Sequence, residues 1–408
     1  MRGLIEIARA NRAGVPLGLP AYCTAHPETL RAILRCYADD YEPLLIEVDA
    51  AAVNLGGGYA GMTPGGFRNF IEIMAAGEGV DPARLILGAA RVGTGLWKTE
   101  PVASAMTSAA ALIRAYVEAG FVKLHLDASS ACADDETVSP ENVAGRTAAL
   151  CWAAEAAAQG RPVLYALGGA SSARAPGTPA TPAEARQLFD LHQQAFGSAG
   201  IGTAFERVIA LVLESGAGYT NAAVLPFLPG PLAGLAQMLP SPPSDAVFQA
   251  PATDYQDEAA LRALVAAHFA ILEVGPELAN AFGRAVVAMA HLEAHLSVRV
   301  SDVLAVIEKE MLRDPAGWQD QIPDDDRAAA MRLFGLTGPL RAYWARPPIA
   351  AALQRLFANI DAARPEAGLL AQYAPPASRL PDRLPLSQRI IAEYVGTVVQ
   401  RYRRAARA

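Results

Sequence analysis

The sequence predicts an α/β fold: a (β/α)8 TIM barrel with a helical C-terminal extension. Eight short β-like runs alternate with helical stretches in the first part of the 408-residue chain, and this alternation builds a parallel sheet covered by helices. After residue 277 the β-like runs end, and helical patterns interrupted by prolines follow. We therefore expect a barrel domain over residues 1–280 and a helical region packed on it over residues 281–408.

The eight runs have the length and the bounding turn residues of barrel strands. They cover residues 16–23, 43–49, 84–90, 121–127, 161–167, 207–213, 245–250 and 269–274. Helices are predicted over residues 27–37, 64–76, 102–119 and 141–159. Pro27 and Pro64 suit the first turns of two of these helices, and Thr63 suits an N-cap. Eight strands with intervening helices are the number that a TIM barrel requires.

The fourth run carries the main functional signal. Residues 121–129 read Phe-Val-Lys-Leu-His-Leu-Asp-Ala-Ser, so strand alternation places Lys123, His125 and Asp127 on one face. In a barrel, polar side chains on the inner face point toward the C-terminal ends of the strands, where active sites lie. We call this end of the barrel the barrel mouth, and the pattern predicts a functional site there.

Composition excludes several classes of protein. With 52% hydrophobic residues, 18% charged residues and a net charge of −7, the chain can bury a large core but has no basic stripe for nucleic acid. No apolar run reaches the length of about 20 residues that a membrane span needs. The four cysteines lack CxxC or metal-finger spacing and are expected to be reduced thiols in a cytoplasmic protein.

Two further polar residues are expected at the barrel mouth. Glu47 lies at the end of the second predicted strand, and Asn54 begins a glycine-rich loop that extends to Gly61. Both positions follow a barrel strand, where ligand contacts concentrate. The loop does not resemble a phosphate-binding P-loop or a dinucleotide motif, because no Lys-Ser/Thr pair follows and the helix starts later. Kinase and dinucleotide chemistry are therefore unsupported.

Lys123 and His125 each allow a chemical and a structural interpretation. A desolvated Lys123 could form a Schiff base, but an ion pair with Asp127 or Glu47 is favoured, because buried charges are usually paired. His125 could act as a metal ligand or as a general acid or base, and either role requires a partner. His26, just after the first predicted strand, is the nearest candidate in the sequence.

Several motifs together point to a known family. They lie at residues 23–27, 45–47, 57–64, 115–121, 123–129, 253–256, 268–276, 305–308, 343–344 and 372–373. On these motifs the chain resembles the Z-type subunit of class II D-tagatose-1,6-bisphosphate aldolase. The resemblance implies a TIM barrel in carbohydrate metabolism, specifically galactitol or tagatose catabolism. It also implies a non-catalytic partner that supports the activity and stability of a separate catalytic aldolase subunit in a homo- or hetero-oligomer.

The departures from the family pattern concern its metal-ligand motifs. Ala90 and Arg91 stand where the family has an Asp-His pair, Ala170 replaces a glutamate, and Gly218 and Tyr219 stand where the family has a second Asp-His pair. Class II aldol cleavage needs a divalent cation to stabilise the enediolate. The sequence therefore predicts no zinc cofactor and no metal site. Arg91, with Lys98 nearby in sequence, is instead predicted to bind an anion, because a guanidinium matches phosphate and carboxylate geometry.

The residues retained from the family pattern, together with Arg91, form the predicted ligand-binding set. The set consists of Glu47, Asn54, Arg91, His125, Asp127, Asp254 and Glu273. The leading hypothesis is a non-catalytic subunit that binds a catalytic class II aldolase. One alternative is an active aldolase or epimerase for a phosphorylated or acidic sugar, using His125, Asp127, Lys123 and Glu47. The other alternative is a sugar-binding pseudoenzyme.

Overall fold

The computed structural model describes residues 1–169, 175–232, 234–239, 244–296, 298–363, 365–374 and 384–407. Its strands are β1 (Leu19–Cys23), β2 (Leu44–Asp49), β3 (Leu85–Val92), β4 (Lys123–Leu126), β5 (Leu164–Leu167), β6 (Val208–Val212), β7 (Gly218–Tyr219), β8 (Val224–Leu225), β9 (Val247–Ala250) and β10 (Phe269–Val274). Its α-helices are α1 (Arg2–Arg12), α2 (Pro27–Arg35), α3 (Pro64–Gly77), α4 (Val102–Glu118), α5 (Pro140–Ala158), α6 (Pro182–Ser198), α7 (Gly202–Phe205), α8 (Glu258–Ala266), α9 (Pro276–Glu293), α10 (Val303–Arg313), α11 (Ala328–Phe334), α12 (Pro347–Ala362), α13 (Ala367–Tyr373) and α14 (Leu386–Ala406).

Eight of the strands close into a parallel barrel, which confirms the predicted fold class. The order around the barrel is β1, β2, β3, β4, β5, β6, β9 and β10, and β10 pairs with β1. Seven of the predicted runs contain a barrel strand, and the run at residues 84–90 matches β3, which extends two residues further to Val92. The remaining two strands, β7 and β8, form a small antiparallel pair between β6 and β9. The carboxyl ends of all eight barrel strands therefore meet at the barrel mouth.

The predicted helix starts are confirmed where a capping side chain was expected. Thr63 caps α3 by accepting a hydrogen bond from the backbone N–H of Gly66 at 3.2 Å, and Pro64 is the first helical residue. Pro27 opens α2 in the same way, but α2 ends at Arg35, two residues before the predicted end at residue 37. Local sequence determines these starts because a cap needs only one side chain and one nearby N–H.

Replacing Thr63 with alanine is expected to lower the free energy of unfolding by about 1 kcal/mol, because the N–H of Gly66 then has no side-chain acceptor. Urea unfolding followed by circular dichroism measures this loss. Thr63→Ser keeps the hydroxyl group and is the matched control, with stability close to that of the parent chain. Equal stability of the alanine and serine variants would contradict the capping role.

Two apolar layers support the barrel. The larger lies between the strands and the surrounding helices, and the smaller fills the barrel interior below the mouth. Leu19, Leu45, Ile86, Leu164 and Ile271 belong to this inner layer and are buried. Apolar side chains at the lower strand positions exclude water, so polar groups on the same inner faces are confined to the upper half.

The helical C-terminal region packs against the barrel through α14. This helix contacts α2, α8 and α9. Arg403 in α14 lies over the ring of Tyr37 at 4.1 Å, and it forms ion pairs with Asp40 and with Glu42. The division after residue 280 stays a prediction, and that position falls inside α9, which is continuous from Pro276 to Glu293.

Candidate functional site at the barrel mouth

A buried ion pair occupies the barrel interior just below the mouth. Lys123 on β4 donates a hydrogen bond to Glu47 on β2, and both side chains are fully buried. Gly88 on β3 lies between them in the sheet, and a Cβ there would come within 2.9 Å of Cγ of Glu47. The absence of a side chain at Gly88 therefore gives the pair its space. This is the structural interpretation that the sequence favoured for Lys123.

His125 lies one inward position further along β4 and is buried. Its Nδ1 is 3.5 Å from Oε1 of Glu273, yet neither ring nitrogen has a hydrogen-bond partner among the described residues. Gly168, after β5, leaves room beside the ring, because a Cβ there would come within 2.4 Å of Nε2. A buried polar atom without a partner is costly. Glu273 is therefore a charged neighbour of the ring, and ligand contact by His125 stays a prediction.

Glu273 on β10 is the centre of a small charge network. Gln249 on β9 donates a hydrogen bond to Oε1, and Nη1 of Arg91 lies 3.7 Å from Oε2. Burial raises the pKa of Glu273, but His125, Arg91 and Lys123 outweigh burial and lower it. The carboxyl group is therefore held in its ionised, acceptor form. The remaining amide oxygen of Gln249 is buried without a partner among the described residues.

Arg91 is held over the barrel mouth by a β-bulge. The pairing of β3 with β4 shifts between Ala89 and Val92, and Arg91 has a φ of 49°, a conformation that non-glycine residues rarely adopt. Its Nη2 lies 2.6 Å from Oδ2 of Asp49 on β2. The side chain remains 48% exposed, so the guanidinium can still meet a ligand. Strained residues of this kind cluster at functional sites.

The donors at the barrel mouth do not fit a divalent cation. Glu47 and Glu273 each lie beside a cationic side chain, Lys123 and Arg91 respectively, which would repel a metal ion. Burial, followed by the nearby Glu273 and Glu47, raises the pKa of the Cys23 thiol well above its usual value, so a thiolate ligand is disfavoured. Among the described residues, no group of three His, Cys, Asp or Glu side chains is arranged to hold a metal.

Ala90 and Tyr219, the described positions where the sequence departs from the family's metal-ligand pattern, supply no replacement metal ligand. Ala90 is buried in β3 beside Asp49 of β2, and the ring of Tyr219 packs edge-on against Tyr255 at 5.4 Å. Lys98 is exposed just beyond the 3-10 helix that follows β3. Ala170 lies outside the described residues.

The structure brings together only part of the predicted ligand-binding set. Glu47, Arg91, His125 and Glu273 lie in the network described above. Asp127 follows β4, and its Oδ1 accepts hydrogen bonds from the backbone N–H and the hydroxyl of Ser129.

Asn54 and Asp254 are engaged by backbone groups instead. Oδ1 of Asn54 accepts two N–H groups of its own loop, and its amide nitrogen donates to the carbonyl of Ala50. Asp254 accepts from the N–H groups of Gly275 and Glu277 at the start of α9. Burial raises the pKa of Asp254 to about 7, although these two hydrogen bonds act in the opposite direction. For both residues, ligand contact stays a prediction.

His26 does not join His125, although the sequence suggested it as a partner. The His26 ring packs against Phe282 at a tilt of 46°, with ring centroids 4.2 Å apart, and its Nδ1 lies 3.1 Å from the hydroxyl of Thr29 at the start of α2. Burial lowers the pKa of His26 to about 3. The ring is therefore neutral and forms part of a helix cap.

Residue 341 belongs to the barrel mouth although it is distant from the strands in sequence. Residues 335–341, here called the tail segment, dock on loops that follow the barrel strands. The hydroxyl of Thr337 donates to Oδ1 of Asn221 at 2.5 Å, and the carbonyl of Leu336 accepts from the hydroxyl of Tyr255 at 2.6 Å. Nη1 of Arg341 donates to the carbonyl of Thr337 at 3.0 Å. Through these contacts the C-terminal region supplies Arg341 to the site.

Two functional candidates were therefore missed in the sequence. Gln249 lies two residues after Val247 in β9, so strand alternation could have placed it on the inner face. Arg341 had no such signal, because only the docking of the tail segment brings it to the barrel mouth.

The closed barrel and its polar mouth define a (β/α)8 barrel protein with its functional groups at the C-terminal ends of the strands. A family model described as D-tagatose-1,6-bisphosphate aldolase subunit GatZ/KbaZ-like matches residues 4–407, and the chain belongs to this family. The resemblance inferred from the motifs is confirmed. No helix in the described ranges is long and apolar enough to cross a membrane.

Relatives match over nearly the whole length. The chain is 36% identical to the D-tagatose-1,6-bisphosphate aldolase subunit GatZ of Salmonella newport, with 98% of each protein covered. It is 37% identical to the GatZ subunit of Klebsiella pneumoniae subsp. pneumoniae, covering 91% of this chain and 90% of that protein. A crystal structure from Sinorhizobium meliloti 1021, described as a probable tagatose 6 phosphate kinase, superposes with a TM-score of 0.87 at 32% identity, covering 95% of this chain and 100% of that one.

Proposed function

We propose that this chain is a non-catalytic subunit that supports a separate class II ketose-bisphosphate aldolase. Support comes from family membership together with one feature of the site: Glu47 and Glu273 face Lys123 and Arg91, and the residues that the structure describes form no cluster suited to a divalent cation. Class II aldol cleavage relies on such a cation to stabilise the enediolate oxygen. A barrel without catalytic activity can still support the aldolase, because it binds the catalytic subunit and stabilises its folded state. The names of the relatives give D-tagatose 1,6-bisphosphate as the substrate to test first.

Co-expression with the catalytic subunit of a class II D-tagatose-1,6-bisphosphate aldolase is expected to yield a complex that survives size-exclusion chromatography. The half-life of aldolase activity at 37 °C should lengthen several-fold, because a partner that binds only the folded state stabilises it by mass action. Serum albumin at equal concentration controls for non-specific protection. Absence of a complex together with an unchanged half-life would contradict the proposal.

The non-catalytic part of the proposal has its own measurement. The purified chain alone should retain no stoichiometric zinc and should not cleave D-tagatose 1,6-bisphosphate. Retained zinc, with activity abolished by a chelator, would overturn it. Metal-independent turnover that is lost in His125→Ala and Arg91→Ala would instead favour an aldolase or epimerase.

We also propose a cytoplasmic location. All four cysteines are free thiols, a state typical of reducing compartments. Cell fractionation with an antibody against the chain tests this location.

A further inference from the structure

We propose that Arg91 and Arg341 form an anion-binding site at the barrel mouth that takes a small hydroxylated organic anion, a sugar phosphate or a sugar acid. One arginine comes from the β3 bulge and the other from the tail segment, so the site exists only when the C-terminal region is docked on the barrel. The inference goes beyond the support of an aldolase, and it holds whether or not a partner subunit binds.

The first support is that docking of the tail segment puts Arg341 at the same end of the barrel as Arg91. The hydroxyl of Tyr255 donates to the carbonyl of Leu336 at 2.6 Å, and the ring of Tyr255 packs edge-on against Tyr219 at 5.4 Å. Asp49, Tyr59 and Tyr219 each interact electrostatically with both Arg91 and Arg341. Two cationic side chains that share neighbours repel each other, and an anion between them relieves this repulsion. Asp49 supplies one such anion, through its 2.6 Å contact with Arg91.

The second support is the unused capacity of the arginines. Arg341 makes one hydrogen bond, to the carbonyl of Thr337, and forms no ion pair with a residue in the part of the chain that the structure describes. Arg91 is 48% exposed. Both can therefore donate further hydrogen bonds, and guanidinium groups suit the paired oxygens of a phosphate or carboxylate.

The third support lies deeper in the site and indicates a ligand with hydroxyl groups. His125 is 2% exposed, and its ring nitrogens have no hydrogen-bond partner among the described residues. The amide oxygen of Gln249 is also buried and has no hydrogen-bond partner among the described residues. Glu273 joins this layer to Arg91, since Oε1 faces His125 at 3.5 Å and Oε2 faces Arg91 at 3.7 Å. A ligand whose anionic group meets the arginines can thus place hydroxyls against these buried donors and acceptors.

The strain at Arg91 is consistent with this role. A left-handed conformation at a non-glycine residue is unfavourable unless the surrounding structure fixes it. The bulge turns Arg91 out of the sheet and over the barrel mouth, where Nη2 reaches Asp49 and Nη1 approaches Glu273. A regular strand would not present the guanidinium to the tail segment in this way.

The test uses the full-length chain and four probes: inorganic phosphate, D-fructose 6-phosphate, D-gluconate and uncharged D-fructose. Isothermal titration calorimetry at low ionic strength should detect saturable binding of D-fructose 6-phosphate or D-gluconate, and little or none of D-fructose. Binding by the phosphorylated probe identifies a phosphate ligand, and binding by D-gluconate alone identifies a carboxylate ligand. No binding of any charged probe at about 10 mM, or preferential binding of D-fructose, would overturn the proposal.

Variants assign the binding to the two arginines. Arg91→Ala and Arg341→Ala should each weaken probe binding at least tenfold, as loss of a charge-assisted hydrogen bond predicts. Arg262→Ala, on the exposed face of α8, is the matched control and should bind as the parent does. Arg341→Lys keeps the charge and should recover part of the affinity if the alanine variant is unstable. Unchanged affinity in both alanine variants would overturn the assignment.

Weaker binding by the alanine variants could also come from a general loss of structure. A variant that binds the probe more tightly excludes this explanation. Asp49→Asn removes the carboxylate that now competes for Arg91, while its side-chain oxygen can still accept from the N–H of Ala51. The probe that binds the parent should bind this variant several-fold more tightly. Weaker binding by Asp49→Asn would contradict the competition between Asp49 and the ligand. Failure of the aldolase complex to form would leave all these binding results unaffected.

Discussion

Replacing Lys123 with methionine is expected to lower the free energy of unfolding by about 3–5 kcal/mol, because Glu47 is then left as a fully buried charge without its cationic partner. Chemical denaturation followed by circular dichroism measures the loss. The methionine side chain fills nearly the same space as the lysine stem, so the change reports on charge more than on packing. The inner apolar layer beneath the pair offers Glu47 no water in compensation.

The double variant Lys123→Met with Glu47→Leu distinguishes the cost of an unpaired buried charge from the loss of the ion pair itself. Replacing both partners with apolar residues removes the uncompensated charge, so this variant should recover at least about 2 kcal/mol of the loss. Arg262→Ala disrupts an exposed pair with Glu258 and should change stability by less than about 1 kcal/mol. A stable Lys123→Met chain, or a double variant no better than the single one, would show that the pair is not the buried support inferred here.

Replacing Gly93 with alanine is expected to destabilise the chain by about 3 kcal/mol, because the strand ends at the barrel mouth cannot absorb an added methyl group. Gly93 follows β3, and a Cβ there would lie 1.7 Å from the backbone carbonyl oxygen of Asp127. A backbone atom cannot rotate aside as a side chain can, so the ends of β3 and β4 must separate. Thermal and urea unfolding measure the effect.

Gly145→Ala is the matched control for this prediction. Gly145 is exposed on α5, and a Cβ there meets no atom within 4 Å. Alanine in a helix should therefore stabilise the chain by about 0.5–1 kcal/mol. Similar stabilities for the two alanine variants would show that the close approach at Gly93 is readily relieved.

Much of the fold could be predicted from local patterns. The short β-like runs between helical stretches identified all eight barrel strands, and Thr63 and Pro64 identified a helix start, because these features depend on a few neighbouring residues. The motifs around Lys123 and His125 were also sufficient to recognise the family. Some residues of the site could also be predicted from the sequence, because strand alternation determines which side chains face the barrel interior.

Pairing within the site did not follow from the sequence. Lys123 had two candidate partners, and only the order of the strands, with Gly88 between the two residues, selected Glu47 over Asp127. His26 is near the barrel mouth in sequence terms, but aromatic packing directs it into a helix cap. The choice depends on which strands are neighbours and on which side chains leave space, and these are properties of the closed barrel.

The sequence by itself determined the barrel, its family and the polar inner face of β4, because hydrophobic periodicity and short motifs act over a few residues. Tertiary structure alone decided that Arg341 reaches the barrel mouth, that Asn54 and Asp254 serve backbone groups, and that His125 faces Glu273. The physical reason is that hydrogen bonds and ion pairs need contact within about 3–4 Å. Folding brings distant segments to that separation, and no local pattern records where they will meet.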